Sequence, residues 1–167
     1  MRSDPRPIVH IITRLEPGGS ARNTLDSAVW QSSFGEVALI YGPYDGKEQL
    51  ELPSGGKLRR IEVPHLTREI SPLKDLKAFL ELRGLISDLN PSIVHTHTAK
   101  AGVLGRWAAA LRRRGPGPRP LVVHTPHGHV FYGYFGPVKS LFFLFVERLT
   151  ALITDRFIAL TEGERRE

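Results

Sequence analysis

Ile93-Val94-His95-Thr96-His97-Thr98-Ala99-Lys100-Ala101-Gly102 is the stretch that decides how this chain is read. An apolar strand runs into a polar, His-rich end, and a helix opens at once. The pattern returns at Val123-His124-Thr125-Pro126-His127-Gly128-His129, and again where Ile8-Val9-His10-Ile11-Ile12-Thr13 leads to the turn Pro17-Gly18-Gly19. Ligands of open α/β sheets bind outside the carboxyl ends of the strands. Three polar strand ends therefore predict a single crevice-facing site.

Working outward, six short runs read as strands: Ile8–Thr13, Glu36–Tyr41, Leu58–Val63, Ser92–His97, Pro120–Thr125 and Arg156–Leu160. Several are nearly continuous in Val, Ile and Leu, as strands buried on both faces of a parallel sheet are. Helical patterns separate most of them. Ser20–Ser32 has Ala21, Leu25, Ala28 and Val29 as its stripe. Ser71–Leu89 carries Leu73, Leu76, Leu80, Ile86 and Leu89 on a broad face, with Ser71 as N-cap and Pro72 at the first helical position. Ala99–Arg113 and Pro137–Ile153 complete the set, and Gly42–Lys57 reads as a loop. This alternation predicts right-handed βαβ units in an α/β, Rossmann-like, doubly wound parallel sheet.

The chain has 167 residues, enough for one domain with a full core. Its net charge of +6 favours anionic partners without naming one. With no cysteine, disulfide scaffolds and thiolate metal sites are excluded. No run approaches the roughly 18 apolar residues of a membrane span, and the N-terminus has no signal-peptide core, so a cytoplasmic location is expected. No nucleic-acid recognition motif accompanies the charge. Near the end, Thr161-Glu162-Gly163-Glu164 reads as a capping box. A helix opening there leads us to expect the N-terminal part of something longer.

Each candidate site residue has a plain alternative. Gly18-Gly19 could let a phosphate approach the N-terminus of the first helix, or could simply make a tight turn. The G-x-G-x-x-G pattern of dinucleotide-binding folds is missing there, so a dinucleotide cofactor is not expected. His95 and His97 alternate on one strand and point the same way. With His127 and His129 they invite a metal-dependent hydrolase reading, against which no Asp or Glu stands beside either pair. His10, His95 and His124 fit histidines hydrogen-bonded within the sheet, and His65 a surface loop. His127, between Pro126 and Gly128, suits presentation to a ligand. Lys100 could meet an anion or be simply solvated. The aromatic loop Val130–Gly136 precedes a strongly apolar helix, for which burial between sheet and neighbour is expected. A third reading is a non-catalytic anion- or membrane-binding module.

Taken in order, these segments resemble the N-terminal half of family-four, GT-B type retaining glycosyltransferases. The matching words are Leu15-Glu16-Pro17-Gly18-Gly19 after the first strand, the stretch from Ile93 through Gly105-Arg106, His124 through Phe131, and Thr154-Asp155-Arg156-Phe157-Ile158-Ala159-Leu160-Thr161. The wording is similar to bacterial members that build cell-surface polysaccharides or lipid-linked oligosaccharides. The resemblance implies that residues 1–167 form the acceptor-side domain of a two-domain enzyme, with a C-terminal domain binding a UDP- or GDP-sugar. It implies retention of configuration, no metal or other cofactor, and peripheral contact with an anionic membrane. By position, His127 would contact the transferred sugar at the reacting centre, and Gly18 and Gly19 the donor phosphates and sugar. Lys100, His97, His129 and Tyr132 are expected toward a saccharide or lipid-linked acceptor. The family's Gly-Gly turn commonly continues with Ala or Thr and then Glu, whereas Ser20-Ala21-Arg22 follows here. Without donor-domain groups the chain alone is expected to be inactive.

Overall fold

The computed structural model describes residues 4–46, 50, 57–113, 115, 117–128 and 137–166. Six parallel strands form one sheet: β1 Ile8–Arg14, β2 Val37–Gly42, β3 Leu58–Glu62, β4 Ile93–His97, β5 Leu121–Thr125 and β6 Arg156–Phe157. Helices α1 Gly19–Ser32, α2 Pro72–Leu89, α3 Ala99–Ala110, α4 Pro137–Ala151 and α5 Glu162–Arg166 lie between and after them. The strand order is β3-β2-β1-β4-β5-β6. This is the doubly wound order, and the chain reverses direction between β1 and β4. All six predicted strands form, the last reduced to two residues.

The two faces carry separate cores. On one, Val9, Ile11, Ala38, Ile40, Val94 and Val122 pack with Ala78, Leu82 and Ile86 of α2 and with Ala101 and Ala108 of α3. On the other, Ile12, Leu15 and Leu39 pack with Ala21 and Leu25 of α1. Burying each such Leu or Ile contributes about 1.5–3 kcal/mol. Glycine lets α3 approach the sheet: a Cβ on Gly102 would lie 2.5 Å from the His124 ring, and one on Gly105 2.8 Å from Thr96.

Three expectations are corrected. The buried stripe of α2 is Ala78, Leu82 and Ile86, while Leu73, Leu76 and Leu80 face outward. The smaller Ala78 lets the helix sit closer, turning it away from the leucines. Ser71 stands at the N-cap of α2, but its hydroxyl does not cap. The Asp75 carboxylate instead accepts from the Ser71 N–H at 3.1 Å. Finally, α4 is not buried between sheet and neighbour, since Leu141, Phe142 and Phe145 are more than 60% exposed. It packs against α3, with Arg106 bonded to Glu147 at 2.8 Å and Trp107 Nε1 to Thr150 at 3.0 Å. Half of the expected capping box forms, Glu164 N donating to Thr161 Oγ1 at 3.1 Å, while the Glu164 carboxylate accepts from Leu160 N at 2.7 Å, one residue before the cap.

Candidate functional site

The carboxyl ends of β1, β4 and β5 meet at the direction change. The register sets His10 opposite His95, and His97 opposite Thr125. Because side chains alternate along a strand, His10, His95 and His97 share the face that α1 covers. Their rings pack together, with centroids 4.1 Å apart for His95 and His97 and 5.3 Å for His10 and His97.

Hydrogen bonds thread these rings into a line. His127 Nε2 lies 3.0 Å from His97 Nδ1. His97 Nε2 lies 3.0 Å from His10 Nδ1, and His10 Nε2 lies 2.8 Å from Gln31 Oε1. His95 branches aside, its Nε2 2.8 Å from Thr125 Oγ1. His97 is fully buried, and its bond to the half-buried His127 links it toward the surface. On the opposite face His124 bonds Thr96.

Burial governs the charge of this group. Desolvation pushes His95 down to about 3, with His10 and His127 adding to the effect, and holds His97 well below the usual histidine range. His10 is lowered by burial against the opposing pull of its bond to Gln31. His127 is lowered by burial too, opposed by the charge of Glu164 in α5. The rings are therefore neutral at pH 7, each with one N–H and one lone pair.

The backbone is strained where the site opens. His127 has φ 59 and Thr98 has φ 64, both positive for residues other than glycine. Such conformations cost about 1–3 kcal/mol and cluster at functional sites. Thr98 is braced by Thr13, their hydroxyls 3.0 Å apart, and Thr13 Oγ1 also accepts from Ala101 N. Gly18 caps α1 with extended backbone, and a Cβ on Gly19 would meet nothing within 4 Å. Among the described residues packing does not demand glycine at Gly19, and open space lies beside this helix N-terminus. Lys100 is engaged with its own fold, in an ion pair with Asp75 at 2.5 Å and a hydrogen bond to the Glu69 carbonyl. His129 and Tyr132 lie outside the described residues.

Among the described residues, His10, His95 and His97 can each offer one ligand atom within 4.8 Å of the others, the group best placed to hold a metal ion. It differs from the quartet expected from sequence by including His10 and leaving out His127. Sequence reasoning missed Gln31, whereas His10 is hydrogen-bonded at the sheet as read, to His97 and Gln31. The signal was present in Gln31, a polar residue three positions after Ala28 on the buried stripe of α1.

Comparison with known proteins settles the family. Residues 18–167 match the model of the glycosyl transferase 4-like domain. The chain belongs to that family. An Escherichia coli UDP-Gal:alpha-D-GlcNAc-diphosphoundecaprenol alpha-1,3-galactosyltransferase is 39% identical over 108 residues, which cover 65% of this chain and 27% of that protein. The chain thus spans about a quarter of the length of this relative. Among solved structures, sucrose-phosphate synthase from Thermosynechococcus elongatus superposes with a TM-score of 0.71 at 15% identity, covering 96% of this chain and 44% of that one. A putative UDP-N-acetylglucosamine 2-epimerase from Listeria monocytogenes gives 0.67 at 10% identity, covering 98% and 42%. These two likenesses speak for the Rossmann-like fold alone, since one fold hosts different chemistries.

Proposed function

We propose that this chain is the acceptor-side domain of a glycosyltransferase that moves a hexose from a nucleotide-sugar to a saccharide or lipid-linked acceptor with retention. The observation that carries the reading is His127: a neutral imidazole, held in a strained conformation at the carboxyl edge of the sheet, inside the matched family domain. The galactosyltransferase relative favours a UDP-hexose donor and a diphospho-polyprenol acceptor.

In this reading His127 hydrogen-bonds the transferred sugar. The N–H groups at the start of α1, reached across Gly18 and Gly19, face the donor phosphates. His97 acts by holding His127, and Lys100 orders the wall toward the acceptor through Asp75. His129 and Tyr132 belong to the acceptor side. Leaving-group charge is stabilised by a second, donor-binding domain, as the resemblance implies, so the isolated chain does not turn over donor. No resident metal is required. The exposed Leu141, Phe142 and Phe145 of α4, with the net charge of +6, suit peripheral contact with an anionic membrane from its cytoplasmic side. Among the described residues no helix is long and apolar enough to cross one.

The test uses the full-length protein, radiolabelled UDP-galactose and a GlcNAc-diphospho-polyprenol acceptor. Transfer is expected, unaffected by chelator, and reduced on the order of 100-fold by His127→Ala, as for loss of one preorganised hydrogen bond at the reacting sugar. Full turnover by His127→Ala, or by the isolated chain, would overturn the reading.

A further inference from the structure

We propose that Gln31, half-buried near the end of α1, sets which nitrogen of His127 carries the proton, acting through His10 and His97. The inference rests on the reading of His127 as a ligand-facing residue, and it assigns Gln31 a positioning role.

The argument is one of donor counting. Three rings are joined by two N···N links of 3.0 Å each, and the line ends 2.8 Å from Gln31 Oε1. Burial keeps every ring neutral, so each has one N–H to give. A link between two nitrogens needs one donor and one acceptor. The three tautomers are therefore locked to one another. With the Gln31 carbonyl accepting, His10 carries its proton on Nε2 and offers Nδ1 as a lone pair. His97 must then donate from Nε2 and accept at Nδ1, and His127 must donate from Nε2. His127 Nδ1, the nitrogen not used in the line, is left as an acceptor for a sugar hydroxyl. A donor at position 31 would reverse all three rings and turn His127 Nδ1 into an N–H. The alternative, in which one ring breaks the order, leaves two N–H groups or two lone pairs facing each other in a dry interior.

Among the described residues, His10 is the partner of the Gln31 side chain. Gln31 occupies the stripe of α1 that otherwise carries Ala21, Thr24, Leu25 and Ala28, and its amide reaches in to the ring of the fully buried His10. An apolar residue would continue that stripe. With its carbonyl turned toward the ring, Gln31 gives His10 Nε2 an acceptor that an apolar residue would lack.

Long-range proton–nitrogen correlation spectra of the nitrogen-15-labelled chain at pH 7 report the tautomer of each ring. In the wild type His10, His97 and His127 are expected as Nε2–H. Gln31→Lys, which can only donate, is expected to move the His127 proton to Nδ1, two rings away from the substitution. Gln31→Met, which does neither, should populate both tautomers, and it keeps the test open if the lysine variant does not fold. An unchanged His127 tautomer in a folded variant would overturn the proposal. In the full-length enzyme Gln31→Lys should lower kcat on the order of tenfold, the loss of one hydrogen bond to substrate. If the spectra show the inversion while kcat holds, the line of rings stands and the placement of His127 at the reacting sugar fails.

Discussion

Acidification is expected to unfold this domain earlier than an ordinary protein, and the amount follows from two buried rings. His95 and His124 are held down to about 3 by burial, His124 also by Arg106. In the unfolded chain a histidine titrates near 6.5. Between those values the unfolded state binds a proton that the folded state refuses. Stability is therefore fully present above pH 6.5 and falls as the pH drops toward 3, by about 1.4 kcal/mol per pH unit for each ring. From pH 7 to pH 5 the loss is about 2 kcal/mol per histidine and about 4 for the two. His10 and His97, also lowered by burial, add in the same direction. Carboxylates titrate near 4 when unfolded and contribute little above pH 5. A domain has about 5–15 kcal/mol in all, so the change is large. Urea unfolding followed by circular dichroism at pH 7, 6 and 5 and constant ionic strength measures it. With a slope near 2 kcal/mol/M the midpoint should fall by about 2 M. His124→Leu removes one titrating site and should flatten the dependence by about 1.4 kcal/mol per pH unit. A midpoint that stays level from pH 7 to pH 5 would refute the argument, because it would mean that these rings reach solvent or accept protons in the folded state.

Other expectations follow from the packing. Gly102→Ala puts a methyl group 2.5 Å from the His124 ring and should cost about 1–3 kcal/mol of unfolding free energy. Gly19→Ala meets no neighbour within 4 Å and should leave the melting temperature level or slightly raised, while lowering transfer by the full-length enzyme. Equal loss of stability and transfer would contradict a role for that open space. Glu147→Ala strands the fully buried Arg106 and should cost about 3 kcal/mol, and a denaturant midpoint within error of wild type would show the pair to be dispensable.

What was legible in the sequence is what local periodicity can encode. Buried parallel strands must be continuous in apolar residues, so the strands from Ile8 to Phe157 could be read one by one, and the alternation with helices implied the sheet. Thr161 and Glu164 announced a helix start because a capping box is a short-range interaction. The strand ends at His97 and His127 marked the edge where the site lies. Where a helix has apolar residues on more than one side, periodicity does not choose among them. Leu73 and Leu80 face outward because Ala78 and Leu82 seat α2 on the sheet, and α4, which packs against α3, leaves Phe142 and Phe145 exposed.

The histidine line belongs to the tertiary structure. His10, Gln31, His97 and His127 are separated by 21 to 87 positions along its links. The doubly wound order sets the first strand beside the fourth, but neither segment states the register that sets His10 against His95. The two cores on opposite faces bury the strands in that register. By itself the sequence determined which residues could form strands, helices and a polar edge. Only the folded sheet decided which histidines touch, since proximity between distant segments is set by the burial of both faces at once.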